Sequence, residues 1–364
     1  MRWLVFSKMN EQHETLKALG WNEWFEQRFA GEPGDVVARV AAVDRELLWV
    51  VDDSGPFRAK LSGSFMHRNP VAHEWPCVGD WIALEKPAGD DFGVIQARLE
   101  RRTSLRRKAV GGAAESQMIA ANVNHVVVVQ SCHFDFNLNR LERYLVMVRE
   151  GGAEPYVLLT KTDLVGPETL AAHLAEIHSA GIDVPVLTLS NVTQEGVADF
   201  KRLLLPGKTY CFVGSSGVGK STLINQLVGT ENLETGAVNG TGEGRHTTVR
   251  RELIQLEGGA LVIDNPGMRE FGVMNALAGI RDGFADITTF AARCRYRDCS
   301  HTSEPGCAVL GALESGELTT AHYENYVKIR KESAFHEMSQ VERRRRDKNF
   351  GRMVKSVKKT LRDE

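Results

Sequence analysis

The chain has 364 residues, 25% of them charged, with a formal net charge of −2. That length allows two or three domains around a sizeable core, and the near-neutral balance excludes general adhesion to polyanions. Basic residues are instead bunched at Arg101, Arg102, Arg106, Arg107 and Lys108, and again at Arg343 to Arg346, which suggests local patches for a polyanion. No apolar run is long enough to span a bilayer, and the N-terminus lacks a secretory core with a cleavage site, so a cytoplasmic protein without a membrane partner is predicted. Of six cysteines, Cys77, Cys132 and Cys211 sit in apolar or strand-like settings, whereas Cys294, Cys299 and Cys307 lie beside His301. This usage fits a reduced compartment with one metal candidate, not a disulfide framework.

The first ~30 residues carry a helical stripe of Leu16, Leu19, Trp21, Trp24, Phe25 and Phe29, expected to pack on a neighbour. From about Asp35 to Leu99 the texture is β: Val36–Val43, Leu47–Val51 and Trp81–Leu84 lie between Gly, Asp and Pro turns. A closed barrel of about five strands, of the OB type that commonly binds nucleic acid, is the economical solution. A basic, Gly-containing linker follows, then alternating strands and helices. His125–Gln130 and Tyr156–Thr160 are continuous apolar runs of the kind buried on both faces. Val184–Leu189, Tyr210–Val213, Leu253–Leu256 and Leu261–Asp264 complete a mostly parallel sheet, with helices such as Leu138–Arg149 and Thr169–Ala180 between them. After Gly267 the chain reads as a helical, cysteine-containing segment and then a basic helix. The predicted boundaries are an N-terminal extension (1–34), the barrel (35–102), the linker (103–117), an α/β domain (118–273), a helical metal-binding domain (274–335) and a basic tail (336–364).

Gly214-Ser215-Ser216-Gly217-Val218-Gly219-Lys220-Ser221 fits the phosphate-loop pattern G-x-x-x-x-G-K-[ST] between a predicted strand and a predicted helix. Its backbone N–H groups and the helix N-terminus favour phosphate. Lys220 is expected to reach the β- and γ-phosphates, and the Ser221 hydroxyl to bind magnesium, with Thr222 beside it. Asp264-Asn265-Pro266-Gly267 closes the next strand, so Asp264 can hold magnesium through water and the Gly267 N–H can meet the γ-phosphate. Between them, Asn239 to Thr248 is polar and Gly-rich, as a switch loop requires, and Thr248 is the candidate for the second protein ligand to magnesium.

Thr160-Lys161-Thr162-Asp163 fits the base-reading pattern but precedes the phosphate loop. Guanine offers two adjacent donors that the Asp163 carboxylate accepts together, while adenine would leave that carboxylate unpaired. Lys161 is expected along the base, and Ser190-Asn191, after the following strand, is placed to offer a backbone N–H to the guanine O6. Cys294-x4-Cys299-x-His301-x5-Cys307 supplies four ligands, which suits a closed, tetrahedral, structural zinc site.

The order of these motifs resembles that of the circularly permuted TRAFAC-class GTPases. With Gly244-Arg245-His246-Thr247-Thr248 and Ile119-Ala120-Ala121-Asn122-Val123, the chain from about 35 to 330 resembles the RsgA (YjeQ/YloQ) family of ribosome small-subunit-dependent GTPases. The resemblance implies an OB barrel, a permuted GTPase domain and a C-terminal zinc domain. It also implies GTP hydrolysis on the small (30S) subunit late in its assembly, with 16S rRNA and other assembly factors as partners and a monomeric chain. Many members carry Asn where this chain has Thr160, a difference of about one hydrogen bond, ~1 kcal/mol. Met268 stands where Ras-like enzymes place a water-orienting glutamine, so slow intrinsic turnover is expected, with His246 the candidate to orient water once the switch is ordered. The basic residues from Val341 to Arg362 are interleaved with apolar ones, as in an amphipathic helix that contacts RNA backbone. Two rivals are a GTP-gated RNA-binding module without turnover and a GTP-dependent metal chaperone.

Overall fold

The structure is a computed structural model that describes residues 14–29, 35–44, 47–86, 92–108, 116–229, 251–264 and 276–337. Strands β1 (Val36–Asp44), β2 (Leu47–Asp52), β3 (Gly55–Leu61), β4 (Trp81–Glu85) and β5 (Phe92–Arg98) pair in the order β1-β2-β3-β5-β4, and β4 returns to β1. Closure removes both sheet edges. β3 and β5 are parallel and the other barrel pairs antiparallel. Alternation sends Ala38, Val40, Leu48, Val50, Ile82, Leu84 and Ile95 inward as the barrel core. This is the OB barrel the sequence suggests. Ahead of it, residues 14–18 are helical, and the short helix α1 (Glu23–Glu26) is N-capped by Asn22. Trp21 packs edge-on against Trp81 at 4.9 Å and Phe25 is buried beside them, so the extension's apolar stripe covers the barrel as expected. Helix α2 (Gly63–Arg68), capped by Ser62, fills the span between β3 and β4.

The expected linker is partly ordered sheet. β6 (Ser104–Lys108) pairs antiparallel with β7 (Ser116–Ala121). Leu105, Ile119 and Ala120 are fully buried. The arginines of β6 mask an alternation that becomes visible only when its partner strand is known.

The α/β body has strand order β10-β9-β8-β11-β13-β12, with β8 (His125–Ser131), β9 (Glu154–Thr160), β10 (Val186–Leu189), β11 (Thr209–Val213), β12 (Glu252–Gln255) and β13 (Leu261–Asp264). All adjacent pairs from β10 to β13 are parallel, and only β12 runs antiparallel. Helices α3 (Leu138–Glu150), α4 (Pro167–Ser179), α5 (Val197–Arg202) and α6 (Lys220–Val228) cover the faces. Five parallel strands therefore end along one edge, the usual place for a ligand in such sheets. The barrel joins this sheet through the pairing of Ala42 with Glu252.

The C-terminal helices α7 (Leu277–Gly283), α8 (Ala285–Ala291), α9 (Ala308–Glu314) and α10 (Thr320–Glu337) enclose Ile280, Phe284, Ile287, Val309 and Ile329. This unit docks on α3, whose Val146 belongs to the same core. The approach requires glycine at 279: a Cβ there would lie 2.1 Å from the Val146 carbonyl oxygen. Arg143 pairs with Glu332 at 2.6 Å. Fully buried beside them, Glu142 accepts from His322 and from Asn325, while the other side of the His322 ring meets Asp286 at 3.1 Å. Burial opposes charge on His322, but the hydrogen bonds to Asp286 and Glu142 win and raise it to about 9. Among the described residues, no helix is long and apolar enough to cross a membrane.

Candidate nucleotide and metal sites

Every described motif of the predicted nucleotide site lies at the common strand edge. Thr160 ends β9, Ser190 follows β10, Gly214 follows β11 and Asp264 ends β13. Gly214 has φ +146°, and a Cβ there would lie 2.2 Å from the Val129 carbonyl oxygen, so only glycine lets the loop leave β11 against β8. The loop then passes into α6 at Lys220, which presents the helix N-terminus where phosphate would sit. Lys220 is nearly buried and its ammonium donates to the Gly214 and Ser215 carbonyls at 2.7 and 2.5 Å. Desolvation lowers its pKa, opposed by Asp264 and Asp135. Its charge is thus held in a low-dielectric setting, under the influence of Asp264 and Asp135.

The base-reading segments are bonded directly to the phosphate loop. Thr160 is fully buried, and its hydroxyl lies 2.5 Å from the Val218 carbonyl and 3.2 Å from that of Gln130. A hydroxyl has one proton for these two acceptors, and the shorter contact assigns it to Val218. Asn191 donates from Nδ2 to the Gly219 carbonyl at 3.1 Å. The candidate base-reading and phosphate-binding segments therefore form one hydrogen-bonded framework.

Lys161 takes a left-handed conformation (φ 59°) that turns its side chain over the Phe134 ring, 4.6 Å from the centroid. Asp163 accepts from the Ser190 hydroxyl at 2.5 Å. That hydroxyl also accepts from the amides of Val192 and Thr193, so the carboxylate is aimed by a turn built around Ser190. The Ser190 amide itself donates to Glu195. Of the Ser190-Asn191 pair expected to offer a backbone N–H to guanine O6, Ser190 therefore has its amide already engaged. Two buried polar atoms beside the base position, Thr162 Oγ1 and Asn191 Oδ1, lack partners among the described residues, as expected of a surface that a polar ligand completes.

Sequence reasoning missed Phe134, Asp135 and the aiming role of the Ser190 side chain. Phe134 is 60% exposed yet sits 4.0 Å from where a Cβ of Gly217 would be. The switch residues Gly244 to Thr248, including His246 and Thr248, lie outside the described residues, as do Asn265, Pro266, Gly267 and Met268 and the tail from 338 onward.

The four predicted metal ligands converge: their ligand atoms all lie within 4.8 Å of one another. Cys294 Sγ and Cys307 Sγ are 3.8 Å apart, and each is 3.5 Å from His301 Nδ1. A tetrahedral ion with bonds of about 2.3 Å to sulfur and about 2.0–2.1 Å to nitrogen has edges of about 3.8 and 3.5 Å. Cys294, His301 and Cys307 thus sit at the spacing of a tetrahedral ion, with Cys299 converging on the same point within the 4.8 Å span of the set. His301 adopts φ 61° to turn its ring inward, and Tyr323 donates to its carbonyl at 2.7 Å. Cys307 also caps α9 through its sulfur.

The sequence pattern of the RsgA GTPase family matches residues 98–274. A protein of Listeria monocytogenes called small ribosomal subunit biogenesis GTPase RsgA 2 is 41% identical over 325 residues, covering 88% of this chain and 90% of that protein. One of Opitutus terrae, called small ribosomal subunit biogenesis GTPase RsgA, is 40% identical over 334 residues, with the same coverage. Among solved structures, YloQ, described as a circularly permuted GTPase, superposes with a TM-score of 0.60 at 26% identity, over 84% of this chain and 97% of that one. YjeQ from Thermotoga maritima gives 0.60 at 26% identity, over 81% and 97%. A phosphate loop tied to a base-reading segment that precedes it in the chain, between an OB barrel and a Cys3His helical unit, agrees with these likenesses throughout: the chain belongs to the RsgA family of GTPases.

Proposed function

We propose that this protein acts in biogenesis of the small (30S) ribosomal subunit, binding the subunit and its 16S rRNA, hydrolysing GTP there and leaving as a result. The observation that carries the reading is the hydrogen-bonded union of the two base-reading loops with the phosphate loop, flanked by a barrel and a metal-binding unit suited to RNA. The names of relatives about 40% identical over most of their length support the partner. The barrel surface carries cations over aromatic rings, Arg58 on Trp49 at 4.8 Å and Lys86, itself ion-paired with Asp52, on Phe57 at 3.8 Å. Such pairs suit stacking and backbone contact with RNA. The protein is expected to work as a monomer in the cytoplasm, beside other subunit-assembly factors.

In this reading Asp163 and the Asn191 amide select guanine, and Lys161 lies along the base. Gly214 through Gly219 cradle the phosphates with their amides, while Lys220 neutralises charge that grows on the β–γ bridge during transfer. The Ser221 and Thr248 hydroxyls would hold magnesium, with Asp264 acting through water; magnesium supplies further charge neutralisation when bound. Gly267 would sense the γ-phosphate and His246 orient the attacking water. Cys294, Cys299, His301 and Cys307 would hold one structural zinc. With all four positions filled by protein, the cluster leaves no open site of the kind a metal chaperone needs for transfer.

Co-sedimentation with purified small subunits tests the partner. Retention with a non-hydrolysable GTP analogue and loss with GDP is expected; equal pelleting in both states, or none in either, would remove the nucleotide-controlled partnership.

A further inference from the structure

We propose that the cavity where the N-terminal extension, the barrel and the α/β sheet meet binds a small phosphate monoester. It has a volume of about 330 Å³, at the lower end of the range for small-molecule sites. It lies at the start of β11, where Thr209 contributes to the lining, whereas the phosphate loop leaves the far end of that strand at Gly214. The rise of a strand, about 3.3 Å per residue, separates the two by more than the reach of one ligand.

The charge of the lining points to an anion. Arg39 is 1% exposed and donates to the carbonyls of Leu19, Gly79 and Asn122 and to the Thr209 hydroxyl. Each of these acceptors is neutral. Asp80, which acts on Arg39 with opposing charge, is hydrogen-bonded through both its oxygens to Arg101. Arg39, whose guanidinium also lies 5.4 Å from the centroid of the Trp81 ring, therefore carries a buried positive charge balanced by dipoles and a ring face, a costly arrangement that an anion would relieve. Arg102 and Lys208 add two exposed cations, and among the described residues Glu154 is the sole carboxylate lining the cavity. Glu154 is itself drawn to one side, 3.3 Å from His125 Nδ1, with its side chain 78% exposed.

An unfilled donor adds a second, independent sign. Trp81 lines the cavity, is fully buried, and its indole N–H has no partner among the described residues. Buried donors are rarely left so, and a ligand oxygen would satisfy this one. A phosphate dianion matches two flexible cations with a fixed buried one. The volume exceeds what a bare phosphate fills, which favours an ester of a small polyol.

The test uses the full chain saturated with GDP, so that the phosphate loop is already occupied. Calorimetric titration with ribose 5-phosphate, inorganic phosphate and unphosphorylated ribose should give binding by the first, weaker binding by the second and none by the third. Lys208→Glu and Arg102→Glu, both on exposed side chains, should each weaken ribose 5-phosphate by about tenfold or more, and Glu154→Gln should tighten it. GDP affinity should be unchanged in all three. Absence of binding, binding of phosphate but not the ester, binding indifferent to both charge reversals, or displacement of the ester by added GDP would each overturn the proposal.

Discussion

Thr160→Val removes one hydroxyl from the centre of the nucleotide framework while keeping the shape of the side chain. In the structure that hydroxyl holds the Val218 carbonyl at 2.5 Å, and the residue is wholly buried. Valine leaves this acceptor unpaired, a cost of about 1–3 kcal/mol. Val218 lies between Gly217 and Gly219, whose amides belong to the phosphate cradle, so the loss should appear mainly in nucleotide affinity. Converted at ~1.4 kcal/mol per decade, it corresponds to about 5- to 150-fold weaker GTP and GDP binding. Thr160→Asn serves as the counterpart: its carboxamide has two N–H donors for the Val218 and Gln130 carbonyls and should retain or improve affinity. Equilibrium titration of a fluorescent guanine nucleotide measures both variants, and thermal unfolding without nucleotide checks that the sheet is intact. Base preference should not change, because the proposed reading places it in Asp163. Unchanged affinity in the valine variant, or a loss of guanine preference with affinity intact, would refute the tether.

Asp163→Asn should weaken GTP by about a hundredfold, since one hydrogen bond to a charged acceptor, worth about 1.5–3 kcal/mol, is replaced by two facing N–H donors and the other loses its charge. It should also favour xanthine nucleotides, whose 2-oxo group accepts where guanine donates; competition titration with XTP reads this. Cys299→Ser, or chelation, should remove a metal contribution of the order of 10–16 kcal/mol and melt the core around Phe284 and Ile329 while nucleotide binding persists. Metal analysis with limited proteolysis checks this, and a metal-free protein with that unit intact would contradict it. His322 has a folded pKa of about 9 against 6.5 unfolded, so its contribution is full below about pH 6.5 and lost as pH rises through 9. The shift bounds that contribution at about 3 kcal/mol. Hydrogen exchange at the α3–α10 junction should accelerate across this window in the wild type and show a flatter profile in His322→Gln.

The nucleotide motifs and the Cys3His set were legible in the sequence because each is a short contiguous string whose spacing is set by its own chemistry. The parallel strands were legible for a related reason: strands buried on both faces read as unbroken apolar runs, as Val126 to Val129 does. What escaped were contacts between residues far apart in the chain. Glu142 and His322 are 180 positions apart, and Arg39 and Thr209 are 170 apart. No local pattern marks Arg39 as the side chain that ties extension, barrel and α/β body together. Asp135 and Phe134 were hidden because their role comes from where β8 ends beside the phosphate loop, not from their own spacing. The hairpin of β6 and β7 was obscured by Arg106, Arg107 and Lys108, whose charges outweighed the single buried Leu105 in any reading of texture.

These distant contacts add a physical link between the candidate nucleotide site and the helical unit that the motif order alone does not show. The permuted order places the strand ending at Asp264 ahead of the helical unit in the chain. The structure adds that this unit is clasped by α3, and that α3 follows directly from the loop carrying Phe134 and Asp135 at the phosphate site. The helical Cys3His unit is thus packed against the helix that leaves the phosphate-site loop.

GTP turnover with and without purified small ribosomal subunits tests the central claim most directly. Slow turnover alone, strong stimulation by the subunits, and loss of that stimulation in His246→Ala with GTP binding retained is the predicted result. Turnover that is equally slow with and without subunits would contradict the account and leave a GTP-gated binding module in its place.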